Sequence, residues 1–260
     1  MFHLKGGFAM LNRWTNTMTK MLQEQGLRAH LLSVFTTMDL VHAFLSGETP
    51  YFDPSIWPKF GNVQAWWGKL PHGDRFFSLL DIHTRMATLG SAVNSRPSES
   101  AIPSLVGEFI PAFEAALQAT QYGPEALVGA DLSAQKWDTF CTFYQISGLI
   151  YLERALRQRT PDNDKVQALI QRGVALLAKH VLPGMLSHCV ILPILVIGAH
   201  CISLDEQRII TEALSPSLSY LSFGNLPVMD EFLKSVWAKD NMNASWWELF
   251  GPIADKIFLF

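Results

Sequence analysis

Three side chains with acid–base or hydrogen-bonding groups lie on otherwise apolar helical patterns, and these are the candidates for chemistry. His83 shares a helical face with Phe76 and Leu80. An imidazole there can bind a ligand or exchange a proton, and the competing interpretation is a core histidine whose nitrogens are satisfied. Tyr144 lies on an aromatic helical face, and His188 lies in a long apolar stretch. We predict His83, Tyr144 and His188 as the catalytic residues.

Four further residues could line or orient a binding site. Asp39 and His42 are one helical turn apart, so the carboxylate could hold one imidazole tautomer, as in a general-base pair. The alternative is that both belong to a polar edge of their helix. Trp66 and Trp137 offer large rings for apolar contact. The predicted substrate-binding residues are Trp66, Trp137, Asp39 and His42.

Space for a ligand is expected along the helix that carries Tyr144. Trp137 and Phe140 share its face with the small residues Ser147 and Gly148. Small residues among rings can leave a cavity between helices, which is where helical proteins bind apolar ligands. A filled aromatic core is the equally weighted alternative.

Metal and cofactor chemistry is not predicted. The three cysteines, Cys141, Cys189 and Cys201, have neither paired spacing nor a histidine pattern typical of zinc ligands. Asn241, Ser245 and Glu248 only approximate a metal-binding triplet, because the last spacing is one residue short. The sequence also lacks a Gly-rich phosphate loop, a serine elbow and a zinc-binding HExxH helix. We therefore predict no metal and no cofactor.

Composition favours a protein with much interior and little charged surface. Hydrophobic residues make up 49% and charged residues 17%, and the net charge of -3 provides no attraction to nucleic acid. The N-terminus lacks the pattern of a secretory signal, so we expect an intracellular, cytoplasmic protein. The predicted partner is an apolar small-molecule substrate or ligand, without direct nucleic acid binding or a membrane span. A homodimer is compatible with these features.

Helical periodicity predicts an all-α fold in one multi-helix domain, residues 1–260. Its centre is the stretch Pro183–Leu204, which is apolar on every side and interrupted by two prolines and two histidines. Those residues favour a buried helix over a membrane span. Regular helices are expected over Leu27–Leu45, Asp74–Val93 and Ser133–Gln158, and an ordered, aromatic loop over Gly47–Gly61. No alternating run long enough for a sheet is present.

Five segments in order resemble the fungal-specific transcription factor domain, the helical regulatory region that usually follows a Zn2Cys6 cluster. They are His3–Gly7, Thr37–Ala43, Phe143–Leu152, Leu192–Cys201 and Val236–Trp237. Of these, LPILVIGAHC at Leu192–Cys201 is the closest in pattern. The resemblance extends over nearly the whole chain, but it consists mostly of apolar patterns. The chain departs from the family because it lacks the six clustered cysteines and the basic linker.

The resemblance implies a helical bundle that can hold an apolar ligand, and two functions are compatible with it. A stand-alone copy could be a cofactor-independent enzyme that guides a pericyclic, Diels–Alder type cyclisation of a terpenoid or polyketide. It would then be similar to fungal natural-product Diels–Alderases that form norbornene rings. The alternative is the ligand-sensing or dimerising domain of a zinc-cluster regulator without catalysis, which would be nuclear. A third hypothesis is a structural partner that contacts a regulator through exposed Trp66–Trp67 and Trp246–Trp247.

Overall fold

The computed structural model describes residues 6–9, 11, 17–24, 26–95, 106–118, 134–179, 189–220, 225–238 and 244–256. Within them the fold is all-α, which confirms the predicted class. The longer helices are α1 (Thr17–Glu24), α2 (Leu27–Ser46), α3 (Arg75–Ser95), α4 (Phe109–Gln118), α5 (Ala134–Tyr151), α6 (Asp164–Lys179), α7 (Ile191–Gly198), α8 (Leu204–Tyr220), α9 (Asn225–Ala238) and α10 (Trp246–Ala254).

Helix α7 lies at the centre of one half of the fold, within the stretch predicted to be the buried core. Every residue of Ile191–Gly198 is buried, and the helix packs against α5, α6, α8 and α9. It ends at Gly198, so the predicted stretch is not one helix to Leu204. Ser203 and Glu206 bond each other's backbone N–H groups and start α8 there. Residues 183–188 lie outside the described residues.

Helix α2 is the principal contact of the C-terminal helix α10 and also packs on α3. Among the described helices, α2 is long and apolar enough to cross a membrane by composition. However, 61% of its most apolar window is buried inside the protein, as in the core helix of a folded domain. Gly47 ends the helix in the left-handed region, at φ 75°.

The segment between α2 and α3 is ordered and aromatic, as predicted, but it contains regular structure. A 3-10 helix runs over Pro54–Phe60, and Asp53 caps it by accepting from the Ser55 backbone N–H at 2.9 Å. The Trp57 indole N–H donates to Thr84 Oγ1 at 2.8 Å and joins this segment to α3.

A small antiparallel hairpin follows, in which β1 (Gln64–Ala65) pairs with β2 (Gly68–Lys69). Four residues are too few to give an alternating pattern, so the sequence did not indicate this hairpin, and the all-α class is unaffected. Trp66 and Trp67 lie at the hairpin turn and are buried, as is Trp246, while Trp247 is half-buried. The hypothesis of a partner surface built on exposed tryptophans is therefore wrong at three of its four positions.

Helix α5 continues into a π-helical segment, Leu152–Leu156, where sequence analysis predicted one uninterrupted helix. Arg154 in this segment is buried and donates to the backbone carbonyl of Ala244 at 2.8 Å. Glu153 pairs with Arg157 and Arg159. The Arg154 bond holds the entry to α10 against the end of the π-helical segment.

Candidate functional site

Four of the seven predicted site residues meet in one aromatic cluster. Phe76 on α3 lies at its centre, with its ring centroid 6.2 Å from Trp66, 5.8 Å from Trp137 and 5.0 Å from Tyr144. The Tyr144 ring lies 6.1 Å from the His83 imidazole. The cluster is buried between α3 and α5, so these residues do share one region of the core.

His83 has one satisfied and one unsatisfied ring nitrogen. Its Nδ1 lies 2.7 Å from the Leu79 carbonyl oxygen, which can only accept, so Nδ1 carries the proton. Nε2 therefore presents a lone pair, and it has no partner among the described residues. Burial lowers the pKa of His83 to about 4, although the Leu79 and Tyr144 carbonyls partly offset this. The side chain is a neutral acceptor near pH 7 and not a general acid.

Tyr144 uses its hydroxyl to join α5 to the residues before α7. Its Oη donates to the Cys189 carbonyl at 2.9 Å, and burial raises the pKa of the phenol well above its usual value. Ser147 Oγ donates to the backbone carbonyl of Tyr144 at 2.9 Å, so its hydroxyl is likewise engaged. A phenol that already donates cannot also polarise a substrate, and the position of Tyr144 is explained by the hydrogen bond to Cys189.

Substitution by phenylalanine should affect Tyr144 and Tyr151 differently, because both are buried but, among the described residues, a hydrogen bond is formed by the Tyr144 hydroxyl and not by that of Tyr151. We expect Tyr144→Phe to lower the free energy of unfolding by about 1–2 kcal/mol, since it removes the donor to a buried carbonyl. Tyr151→Phe removes an unpartnered hydroxyl and should change stability by less than about 0.5 kcal/mol or raise it. Urea unfolding of both variants is the measurement. Equal losses would show that Tyr144 gains nothing from its hydrogen bond.

The two tryptophans predicted to line a binding site are core residues in different settings. The Trp66 indole N–H donates to Thr37 Oγ1 at 2.9 Å, which ties the hairpin to α2. The Trp137 ring is stacked on Phe140, with the ring centroids 4.9 Å apart, and its indole nitrogen forms no hydrogen bond with the described residues. Burial raises the pKa of Asp74 to about 6, whereas the Phe76 backbone N–H, Arg75 and the Trp137 indole act in the opposite direction.

Asp39 and His42 do not form the predicted pair. Oδ2 of Asp39 accepts from the backbone N–H groups of Tyr51 (2.8 Å) and Phe52 (3.0 Å) and so fixes the chain after α2. His42 Nε2 instead lies 3.0 Å from Oδ1 of Asp255, next to the end of α10. Residues three apart on a helix share a side of it, but here each side chain has a nearer partner from another segment.

The space expected beside Gly148 is filled by a ring from another helix. A Cβ at Gly148 would lie 2.4 Å from Cζ of Phe113 and 3.0 Å from Nε2 of His83. Contacts that short do not occur, so glycine is required for Phe113 of α4 to reach this depth. The aromatic-core alternative therefore describes this position correctly. The seventh predicted residue, His188, lies outside the described residues.

Sequence analysis did not select Phe113, Arg154 and His200 as site residues. The structure buries them in the core, as it does the predicted residues that it describes. His200 is buried, bonds the Val196 carbonyl through Nδ1 at 2.8 Å and stacks on Trp246. Burial lowers its pKa to about 3. His200 has the same signal in the sequence as His188, a histidine within the apolar stretch Pro183–Leu204, and Arg154 has one as a charge within an apolar run. Among the described residues no group of three or more His, Cys, Asp or Glu side chains could hold a metal ion.

The chain matches a known protein family. The model of the family described as "Fungal specific transcription factor domain" matches residues 1–260. Neither a curated protein nor a solved structure matches the chain. The family match spans the whole chain, and it agrees with the all-α fold and with the buried LPILVIGAHC segment around α7. The chain therefore belongs to the fungal-specific transcription factor domain family.

Proposed function

We propose that this chain is the regulatory domain of a fungal transcriptional regulator and acts through binding rather than catalysis. The family match over residues 1–260 is the observation that carries this proposal. The net charge of -3 gives the domain no attraction to DNA, so another segment or another protein would bind DNA. Such a domain acts in the nucleus, which replaces the cytoplasmic expectation.

The polar groups of the predicted catalytic and substrate-binding residues also favour binding over catalysis. Tyr144, Trp66 and Asp39 use their polar atoms to join segments of the fold. A residue that polarises a substrate must have a donor aimed at the reacting atoms. His83 near pH 7 offers only an acceptor. The family match supports the regulatory alternative and gives no support to the cyclisation hypothesis.

A reporter assay tests the proposal. Residues 1–260 are fused to an unrelated DNA-binding module in a fungal host, and transcription from its target promoter is measured. We expect the fusion to raise or lower transcription relative to the DNA-binding module alone. Equal transcription at equal protein level would contradict a regulatory role.

The matched control for the reporter assay is Trp246→Ala. Trp246 is buried, donates to the Phe44 carbonyl at 2.8 Å and packs on Tyr151. Loss of a buried tryptophan costs about 3–5 kcal/mol, so this fusion should lose the effect if the folded domain is responsible. An effect that survives Trp246→Ala would assign the activity to an unfolded segment instead.

A further inference from the structure

Helix α4 inserts one ring into the core between α3 and α5. Phe113 is fully buried, and its neighbours are His83 on α3 and Gly148 on α5. The ring centroids of Phe113 and His83 are 5.6 Å apart and the rings are nearly perpendicular. Gly148 leaves room for this ring, because a Cβ there would lie 2.4 Å from Cζ of Phe113. The space beside Gly148 is thus filled by one six-membered ring.

The present occupant leaves a hydrogen-bonding group of this site unsatisfied. Nε2 of His83 carries a lone pair because Nδ1 donates to the Leu79 carbonyl. His83 is 1% exposed, and Nε2 has no partner among the described residues. The Tyr144 carbonyl on the α5 side is itself an acceptor, and the Phe113 ring has no polar hydrogen to donate. A buried acceptor without a donor destabilises the folded protein.

The Nε2 atom and Cζ of Phe113 both lie close to the Cβ position of Gly148. The position of a Cβ on Gly148 lies 3.0 Å from Nε2 and 2.4 Å from Cζ of Phe113. A ring that bore a hydroxyl and took the place of the Phe113 side chain would bring its O–H to the neighbourhood of Nε2. It would keep the apolar contacts and add the missing donor.

We propose that the space occupied by Phe113 between His83 and Gly148 is a binding site for a phenol or similar ring alcohol, with the Phe113 ring as its displaceable occupant and His83 Nε2 as the acceptor. Its meaning as a ligand-sensing site depends on the proposed regulatory function. Binding itself is measured on the purified chain, so a failed reporter assay and a failed binding assay are separate results.

Selectivity for the hydroxyl follows from the unsatisfied lone pair. A phenol donates to Nε2 and removes the cost of the orphaned acceptor, whereas toluene of the same size leaves it. A cavity without a polar group would bind toluene more tightly than phenol, because transfer from water to an apolar environment favours toluene. We therefore expect phenol to bind about tenfold or more tightly than toluene, which corresponds to about 1.4 kcal/mol.

Phe113→Ala is the variant that opens the site for measurement. Titration calorimetry with phenol and with toluene gives the affinity ratio. Phe109→Ala is the matched control, because Phe109 is on the same helix but lies beneath Arg85, 6.0 Å from its guanidinium carbon. Phe109→Ala should show no preference for phenol. Equal binding of phenol and toluene to Phe113→Ala, or a preference for toluene, would overturn the proposal.

The unmodified protein supplies the second measurement and does not depend on a variant that folds. The 15N resonance of His83 Nε2 should report a bare lone pair in the free protein and should shift when phenol, but not toluene, is added. The affinity should be lower than in Phe113→Ala because the ring must first be displaced. No shift up to the solubility of phenol would make Phe113 a permanent core residue, and a resonance that already reports a hydrogen bond would identify a buried water. Either result overturns the proposal.

Discussion

Gly90→Ala is expected to lower the free energy of unfolding by about 2–3 kcal/mol, although alanine is the better helix former. A Cβ at Gly90 would lie 1.8 Å from the Tyr151 hydroxyl oxygen and 3.0 Å from Cη2 of Trp247. Tyr151 is fully buried and stacked on Phe44 at 4.0 Å, so it cannot rotate away. Extra volume in such a core forces side chains from their rotamers or shifts the backbone. In thermal unfolding, the Tm should fall by about 2–4 °C for each kcal/mol of lost stability.

A second substitution on Tyr151 tests whether the clash is the cause. Tyr151→Phe removes the nearest atom and should restore part of the stability lost in Gly90→Ala, because the ring carbon Cζ remains 3.0 Å from the new methyl group. The double variant is therefore expected to be more stable than Gly90→Ala alone. If the stability change of the double variant equals the sum of the two single changes, the two positions do not interact.

Gly107→Ala is the matched control for the effect of alanine in a helix. Gly107 is helical and exposed, and a Cβ there meets nothing within 4 Å. Without a clash, alanine should stabilise the protein by up to about 1 kcal/mol. Gly90→Ala as stable as Gly107→Ala would contradict the packing at Gly90.

The parts of the fold that follow from local pattern could be predicted from the sequence. Residues 191–198 are apolar on every side, which indicates burial before any partner is known. The Ser203 to Glu206 spacing is likewise a local signal for the start of a helix, although it was overlooked. Apolar periodicity does not indicate where a helix ends, so the predicted stretch extends beyond the observed end of α7 at Gly198.

The site could not be predicted to the same degree because its contacts join residues far apart in the chain. His42 bonds Asp255, 213 residues away, where the sequence suggested a partner three residues away. Gly148 was recognised as a gap, but the sequence does not show that Phe113 fills it. Which of two buried tyrosines donates a hydrogen bond also depends on the position of a carbonyl at Cys189. A single sequence indicates which residues are buried but not which ones meet.

Asp39→Ala should lower the free energy of unfolding by about 2–4 kcal/mol. Asp39 is 3% exposed, and its Oδ2 accepts from the backbone N–H groups of Tyr51 and Phe52. Alanine leaves both donors without this acceptor, and an unsatisfied buried donor costs about 1–3 kcal/mol. Denaturant unfolding monitored by tryptophan fluorescence measures the loss. A change below about 0.5 kcal/mol would show that Asp39 does not hold the segment after α2.

Asp39→Asn separates the hydrogen bonds from the charge. Both backbone donors bind the same oxygen, so the single carbonyl oxygen of asparagine can accept both. The carboxylate charge is unfavourable here, because burial raises the pKa of Asp39 from 3.8 to about 6 despite the two backbone hydrogen bonds. Asn at this position should therefore be more stable than Ala at every pH.

The pH dependence of the Asn variant gives the sharper test. Between pH 4 and pH 6 the folded protein holds a proton on Asp39 that the unfolded chain has released, so this residue makes stability fall as pH rises through that window. Asn cannot titrate, and the stability of Asp39→Asn relative to the unmodified protein should rise by about 2 kcal/mol from pH 4 to pH 7. His83 and His200 have lowered pKa values and act in the opposite direction, but they are present in both proteins and cancel in the difference. A difference that stays constant with pH would mean that Asp39 titrates alike in the folded and unfolded states, and the carboxylate would then carry no burial cost.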